Sequence, residues 1–164
     1  MFMSFLRCMI FASVVGLGAC ATAPPPAHVG QAAPNVSLAV TEGTRGDVVV
    51  LAFFTTYCPT SGATLRAVNQ LRALDTAGGL RVIAVNEGDT STQVDDMTAK
   101  LGVHLAVAFD KNGAAAEELG LQTVPSVVVI DRRGTVRHVH AGYHGDDDRS
   151  AIEREVSALL LESS

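Results

Sequence analysis

Seven consecutive apolar residues, Val48-Val49-Val50-Leu51-Ala52-Phe53-Phe54, run up to Thr55 without a polar member. Successive side chains of a strand point to opposite faces of a sheet, so a strand of this composition needs apolar cover on both sides. It belongs at the centre of a sheet that carries helices above and below. The rest of the chain can supply that cover. Its 164 residues suffice for one domain with a full core, and 48% hydrophobic against 18% charged residues describes a packed globule. The net charge of −5 recommends no nucleic acid as a partner.

Strand and helix patterns alternate on either side of this run. Val36 to Val40 predicts a short first strand, followed by a turn over Thr41 to Gly46. Leu65, Val68, Leu71 and Leu74 recur every third residue and predict one helix, ended by Gly78-Gly79. Leu80 to Val85 is the next strand, and Gln93 to Leu101 a helix with Val94, Met97 and Leu101 inward and Gly102 as its stop. A short strand over Leu105 to Phe109 and a short helix over Ala114 to Leu119 follow. Val127 to Ile130 and Thr135 to His140 flank Asp131-Arg132-Arg133-Gly134, which predicts an antiparallel hairpin. The final helix carries Ile152, Val156, Leu159 and Leu160 on one face, with Asp146-Asp147-Asp148 placed where a helix dipole favours negative charge. The expected class is α/β, with helices on both faces of a mixed sheet.

The N-terminus reads as an export segment. Met1 to Arg7 carries one positive charge, and Cys8 to Leu17 is apolar but short for a bilayer span. It ends in Leu17-Gly18-Ala19-Cys20, which resembles the bacterial lipobox, where the cysteine is lipidated and becomes the first mature residue. Residues 1–19 are therefore expected to be a lipoprotein signal peptide, with a cut near Ala21 or Ala23 as the plain secretory alternative. Residues 20–34, rich in Ala and Pro, are expected to be a tether, and residues 35–164 the folded domain. The expected location is a periplasm-facing membrane, with Ala21 resembling the outer-membrane sorting preference. Of the three cysteines, Cys8 leaves with the signal and Cys20 is consumed by lipid, so Cys58 is left as the only free thiol.

Cys58-Pro59-Thr60-Ser61 stands at the junction between the central strand and the next helix. Ala84-Val85-Asn86 ends the following strand, an extra strand–helix segment occupies about 87–109, and Val124-Pro125-Ser126 leads into Val127-Val128-Val129-Ile130-Asp131. In this order and spacing the chain resembles the membrane-tethered thioredoxin-like proteins of the TlpA/ResA type, over about residues 34–161. The resemblance implies a thioredoxin-like three-layer α/β/α sandwich whose mixed sheet closes with a β-hairpin and helix. It implies a cis Pro125 packed beside Cys58, exposing a backbone edge on which an extended peptide can lie, with Tyr57, Pro59 and Val124 as its neighbours. The chain departs from the family at Ser61, where a second cysteine is usual, and at Tyr57, where Trp is usual. Asp89 matches the offset of an active-site acid in the ResA branch better than Glu87, although both also read as solvated loop carboxylates.

A cysteine at the start of a helix is expected to have a lowered pKa, because unpaired N–H groups and the dipole favour thiolate. Pro59 suits the first helical position, and Ser61, one turn on, is placed to donate a hydrogen bond to the sulfur. Thiolate attack on a disulfide gives a mixed disulfide, which a serine hydroxyl cannot resolve. The leading expectation is therefore monothiol exchange or isomerisation through Cys58, Ser61 and Pro125, acting on exported cysteine-containing proteins or a small thiol. No cofactor is expected, and a monomer is. The competing classes are a non-catalytic binding module, a metal-handling protein using His138 and His140, and a peroxidase suggested by the Thr55-x-x-Cys58 spacing. His138 and His140 alternate along one strand and so share a face, with His144 following in the loop, whereas His28 and His104 carry no special role in this reading.

Overall fold

The computed structural model describes residues 29–33 and 46–162. The expected export segment, Cys20, most of the tether and the strand over 36–40 lie outside the described residues.

The apolar run forms strand β1, Val48–Phe54, with all seven residues buried. β2 (Leu80–Asn86) lies parallel to it, β3 (Ala106–Phe109) parallel to β2, and β4 (Ser126–Ile130) antiparallel to β1. β5 (Val136–Ala141) completes the sheet antiparallel to β4. Among the described residues the order is β3-β2-β1-β4-β5, so β1 is the middle strand of those five. The alternation of its side chains supplies both core layers. Val49, Leu51 and Phe53 pack with Ala115, Ala116 and Leu119 of the α3 side. Val48, Val50 and Ala52 pack with Val68, Leu71, Ile152 and Val156 of the opposite helices.

Those helices are α1 (Ser61–Gln70) with the turn after it and α4 (Asp146–Leu161); α2 (Ser91–Leu101) sets Val94 against Phe54 and Leu65, and the short α3 (Ala114–Glu118) lies on the other face. The expected helix over Leu65 to Leu74 is only partly α-helical: Leu71–Leu74 tightens into a 3-10 turn and the helical backbone ends there, before Gly78-Gly79. The sequence spacing explains the change. Residues three apart drift round an α-helix but eclipse in a 3-10 turn, which keeps Leu71 and Leu74 over the same core. Helix α2 begins two residues earlier than the expected Gln93. Thr90 caps it, its hydroxyl accepting the Gln93 amide while the Gln93 side chain accepts the Thr90 amide. It stops at Gly102, whose left-handed backbone (φ 63°) takes a conformation that favours glycine. The acidic run at 146–148 forms the first turn of α4.

Residues 29–33 fall within the span read as a tether, yet they are docked. Ala32 bridges Thr135, Gly30 N–H donates to the Val136 carbonyl, and Val136 N–H donates to the Gln31 carbonyl. The start of β5 lies at the sheet edge, where unpaired backbone groups accept any adjacent extended segment.

Candidate active site around Cys58

Three parallel strands place their C-terminal ends on one edge of the sheet: Phe54 is level with Asn86, and Asn86 with Phe109. Because β4 runs antiparallel, its beginning reaches the same edge, with Ser126 opposite Phe53. The loop carrying Cys58 and the segment Val124-Pro125 are thereby brought together from positions far apart in sequence. The Val124–Pro125 bond is cis, as the resemblance implies. The Cys58 thiol lies 3.6 Å from the Val124 carbonyl, to which it donates. Pro125 itself is buried, and its carbonyl accepts the Gly142 amide at 2.8 Å.

Cys58 is half-buried, flanked by a Tyr57 ring that is 79% exposed and by exposed Pro59 and Thr60. The helix starts at Ser61, with Thr60 at the cap position, so Pro59 does not occupy the first helical position as expected. It sits in a turn closed by the Ser61 amide on the Cys58 carbonyl at 3.1 Å. This turn lets the chain leave β1 and enter α1 with the sulfur at the helix start.

The serine expected to serve the sulfur plays the lesser part. Thr60 Oγ1 lies 3.5 Å from Cys58 Sγ, whereas the fully buried Ser61 hydroxyl has no hydrogen-bond partner. Thr60, whose backbone is already helical (φ −88°, ψ −13°), makes no side-chain cap of α1. The Thr60 hydroxyl holds the Cys58 thiol below its ordinary value; burial opposes it, and the Thr60 amide adds to the lowering. Ser61 contributes less through its side chain and amide, and the geometry assigns the leading part to Thr60. The expected lowering at a helix start is present, delivered mainly by a residue that the sequence did not single out.

Neither loop carboxylate is the solvated group that one reading predicted. Asp89 accepts the Thr56 amide, the Thr56 hydroxyl and the Asn86 side-chain amide, each at 2.7 Å. Burial works against its charge, but the hydrogen bonds from Asn86 and Thr56 outweigh it and hold the carboxyl below its ordinary value. Glu87 is half-buried with Oε1 unpartnered, and burial, reinforced by the nearby Asp110, pushes its carboxyl up.

His138 and His140 share a face of β5 as their alternation predicts, and both are engaged by one carboxylate of α4. His138 Nδ1 lies 3.3 Å and His140 Nε2 2.7 Å from Glu155. Among the described residues no group of three or more His, Cys, Asp or Glu side chains is arranged to hold a metal ion. Thr55, the residue that suggested peroxide chemistry, is 1% exposed with its hydroxyl sealed from solvent.

A thioredoxin-like sheet with a Cys-Pro turn at the end of its central strand, facing a cis proline, defines the class. The profile of the family described as Redoxin matches residues 22–156, and the chain belongs to that family. It is 34% identical over 117 residues to the thiol:disulfide interchange protein DsbE of Escherichia coli, covering 71% of this chain and 60% of that one. The thiol-disulfide oxidoreductase ResA of Geobacillus thermodenitrificans is 25% identical over 127 residues, covering 73% of each chain. A crystal structure described as a thiol:disulfide interchange protein DsbE from Chlorobium tepidum superposes with a TM-score of 0.67. It is 29% identical, over 73% of this chain and 84% of that one. The chain thus spans less than two thirds of the length of the Escherichia coli DsbE it matches.

Proposed function

We propose that this protein carries out monothiol thiol–disulfide exchange or isomerisation on exported proteins through Cys58. The observation that carries the reading is a half-exposed thiol whose leading hydroxyl partner, Thr60, favours thiolate, set against the Val124 carbonyl. The Cys58 thiolate attacks one sulfur of a substrate disulfide; that S–S bond breaks, a Cys58–substrate disulfide forms, and the departing thiolate takes a proton. A second thiol, from the substrate or a small molecule, then attacks the mixed disulfide and releases Cys58 as thiolate. No net electrons pass to the protein, as a site with Ser61 in place of a resolving cysteine requires. Tyr57, Pro59 and Val124 line the approach, and Pro125 belongs to the edge on which the substrate chain lies. The curated relatives named as interchange proteins support the activity, and their lengths leave substrate and partner to experiment.

The export reading completes the proposal: cleavage before Cys20, lipid on its sulfur, and a periplasm-facing outer-membrane location that supplies oxidised substrates. The test is the rate of iodoacetamide alkylation of Cys58 against pH, together with mass spectrometry of species disulfide-linked to the protein purified without reductant. Alkylation with a midpoint below the ordinary thiol value, and mixed disulfides at Cys58, are expected. An inert thiol in the folded protein overturns the reading.

A further inference from the structure

The contacts that Cys58 Sγ makes are long, 3.5 Å to Thr60 Oγ1 and 3.6 Å to the Val124 carbonyl. Sulfur hydrogen bonds of this length orient a side chain that is already in place; they do not place the backbone that carries it. The short bonds near the site lie two residues upstream. Thr56 commits both of its donors to Asp89, the amide to Oδ2 and the hydroxyl to Oδ1, at 2.7 Å each. Bonds to an ionised carboxylate are the stronger kind. Asp89 is itself held. Asn86, completely buried, donates to Asp89 Oδ2 at 2.7 Å and to the Phe54 carbonyl at 3.4 Å, and its Oδ1 accepts the Asp89 amide at 3.0 Å. The Glu87 amide donates to the same Phe54 carbonyl at 3.0 Å. The end of β2 and the loop after it thus grip the chain from Phe54 to Thr56, and only Tyr57 separates that grip from Cys58.

We propose that Asp89 is a positioning residue which, seated by Asn86, fixes Thr56 and so holds Cys58 in register with Thr60 and Val124. The inference rests on Cys58 being the reacting group. The role is distinct from that of a catalytic acid: both carboxylate oxygens are occupied by donors of this chain, and Asp89 acts on the sulfur only through the backbone of Thr56 and Tyr57. It also assigns a task to the helix–strand unit α2–β3 that follows β2, since Asp89 directly precedes the Thr90 cap of α2. That unit holds the loop that bears the nucleophile.

Two physical effects of removing Asp89 point in opposite directions, which makes the proposal testable. Loss of a nearby negative charge alone favours thiolate, whereas a freed loop that abandons Thr60 disfavours it. The pH profile of Cys58 alkylation is compared in the full chain, in Asp89→Ala, in Thr56→Val, and in Thr56→Ser, which keeps the hydroxyl. Circular dichroism checks folding, and amide hydrogen exchange at Thr56 is followed in parallel. In Asp89→Ala the alkylation rate at pH 6 is expected to fall roughly three- to ten-fold, as a half- to one-unit rise of the thiol midpoint gives. Thr56→Val is expected to move the same way by less, and Thr56→Ser to restore the parent profile. A folded Asp89→Ala with an unchanged or lowered midpoint overturns the proposal. Should Asp89→Ala not fold, Thr56→Val carries the same readout with one hydroxyl removed. An ordinary midpoint in the parent protein overturns the exchange reading instead, and the Thr56 amide then decides the positioning role: faster exchange in Asp89→Ala or Thr56→Val supports it, unchanged protection sinks it.

Discussion

At the scale of single residues, the site is governed by which oxygen meets which donor. Thr60 and Ser61 are adjacent hydroxyl residues, and sequence spacing favours Ser61 because it lies one turn from Cys58. The helix begins two residues after Pro59, which buries Ser61 and leaves the Thr60 hydroxyl 3.5 Å from the sulfur. Asp89 and Glu87 diverge for the same kind of reason. Asp89 meets three donors and stays charged, while Glu87 meets none at Oε1 and faces Asp110. The raised Glu87 value has a consequence for stability. A carboxyl whose folded-state pKa lies above its unfolded value of 4.5 stabilises the fold below that value, and the stabilisation is lost as pH rises through the folded value. Glu87→Gln, which cannot ionise, is expected to unfold at a higher temperature than the parent protein at pH 7. The difference should close below pH 4.5; equal melting temperatures at pH 7 would sink the assignment. Asp89 and Glu87 were both visible in the sequence as loop acids, but their opposite fates depend on donors brought in by Thr56 and Asn86.

At the scale of elements, each boundary has a local chemical cause. The stripe of leucines three apart was legible as a helix, and its exact period also explains why the last four residues wind as a 3-10 turn. The start of α2 follows from the reciprocal Thr90–Gln93 bonds, and its end from the left-handed Gly102. Thr90→Ala removes the acceptor for the Gln93 amide and is expected to lower stability by about 1 kcal/mol. Urea denaturation should show this as a lower midpoint with an unchanged slope; an unchanged midpoint would show that α2 is held by packing alone. The hairpin loop is equally local. Asp131 Oδ1 accepts the amides of Arg133 and Thr135, both at 2.9 Å, so the turn that the sequence predicts is closed by its own first residue. In contrast, the docking of residues 29–33 on β5 has no signal in their own composition, because it depends on an edge supplied by residues a hundred positions later.

At the scale of the whole molecule, β1 is where the two core layers meet, one on each face of the sheet. Leu51→Ala leaves a cavity on the α3 side of a fully buried strand and is expected to cost about 2–5 kcal/mol. A loss below 1 kcal/mol, measured by urea denaturation, would mean that the two layers are less tightly bound to this strand than its burial implies. The sequence by itself determined the central strand, the order of strands and helices, the hairpin and the position of Cys58. These follow from side-chain period and turn chemistry, which act over a few residues. Only the tertiary structure decided that the Val124 carbonyl meets the thiol, that Thr60 more than Ser61 serves it, and that Asp89 binds Thr56 of its loop. The Val124 and Asp89 contacts depend on strands β1, β2 and β4 ending at one edge of the sheet, and on hydrogen bonds 2.7 to 3.6 Å long. Contacts so short-ranged between residues so distant in sequence are set by packing, and leave no period for a sequence to display.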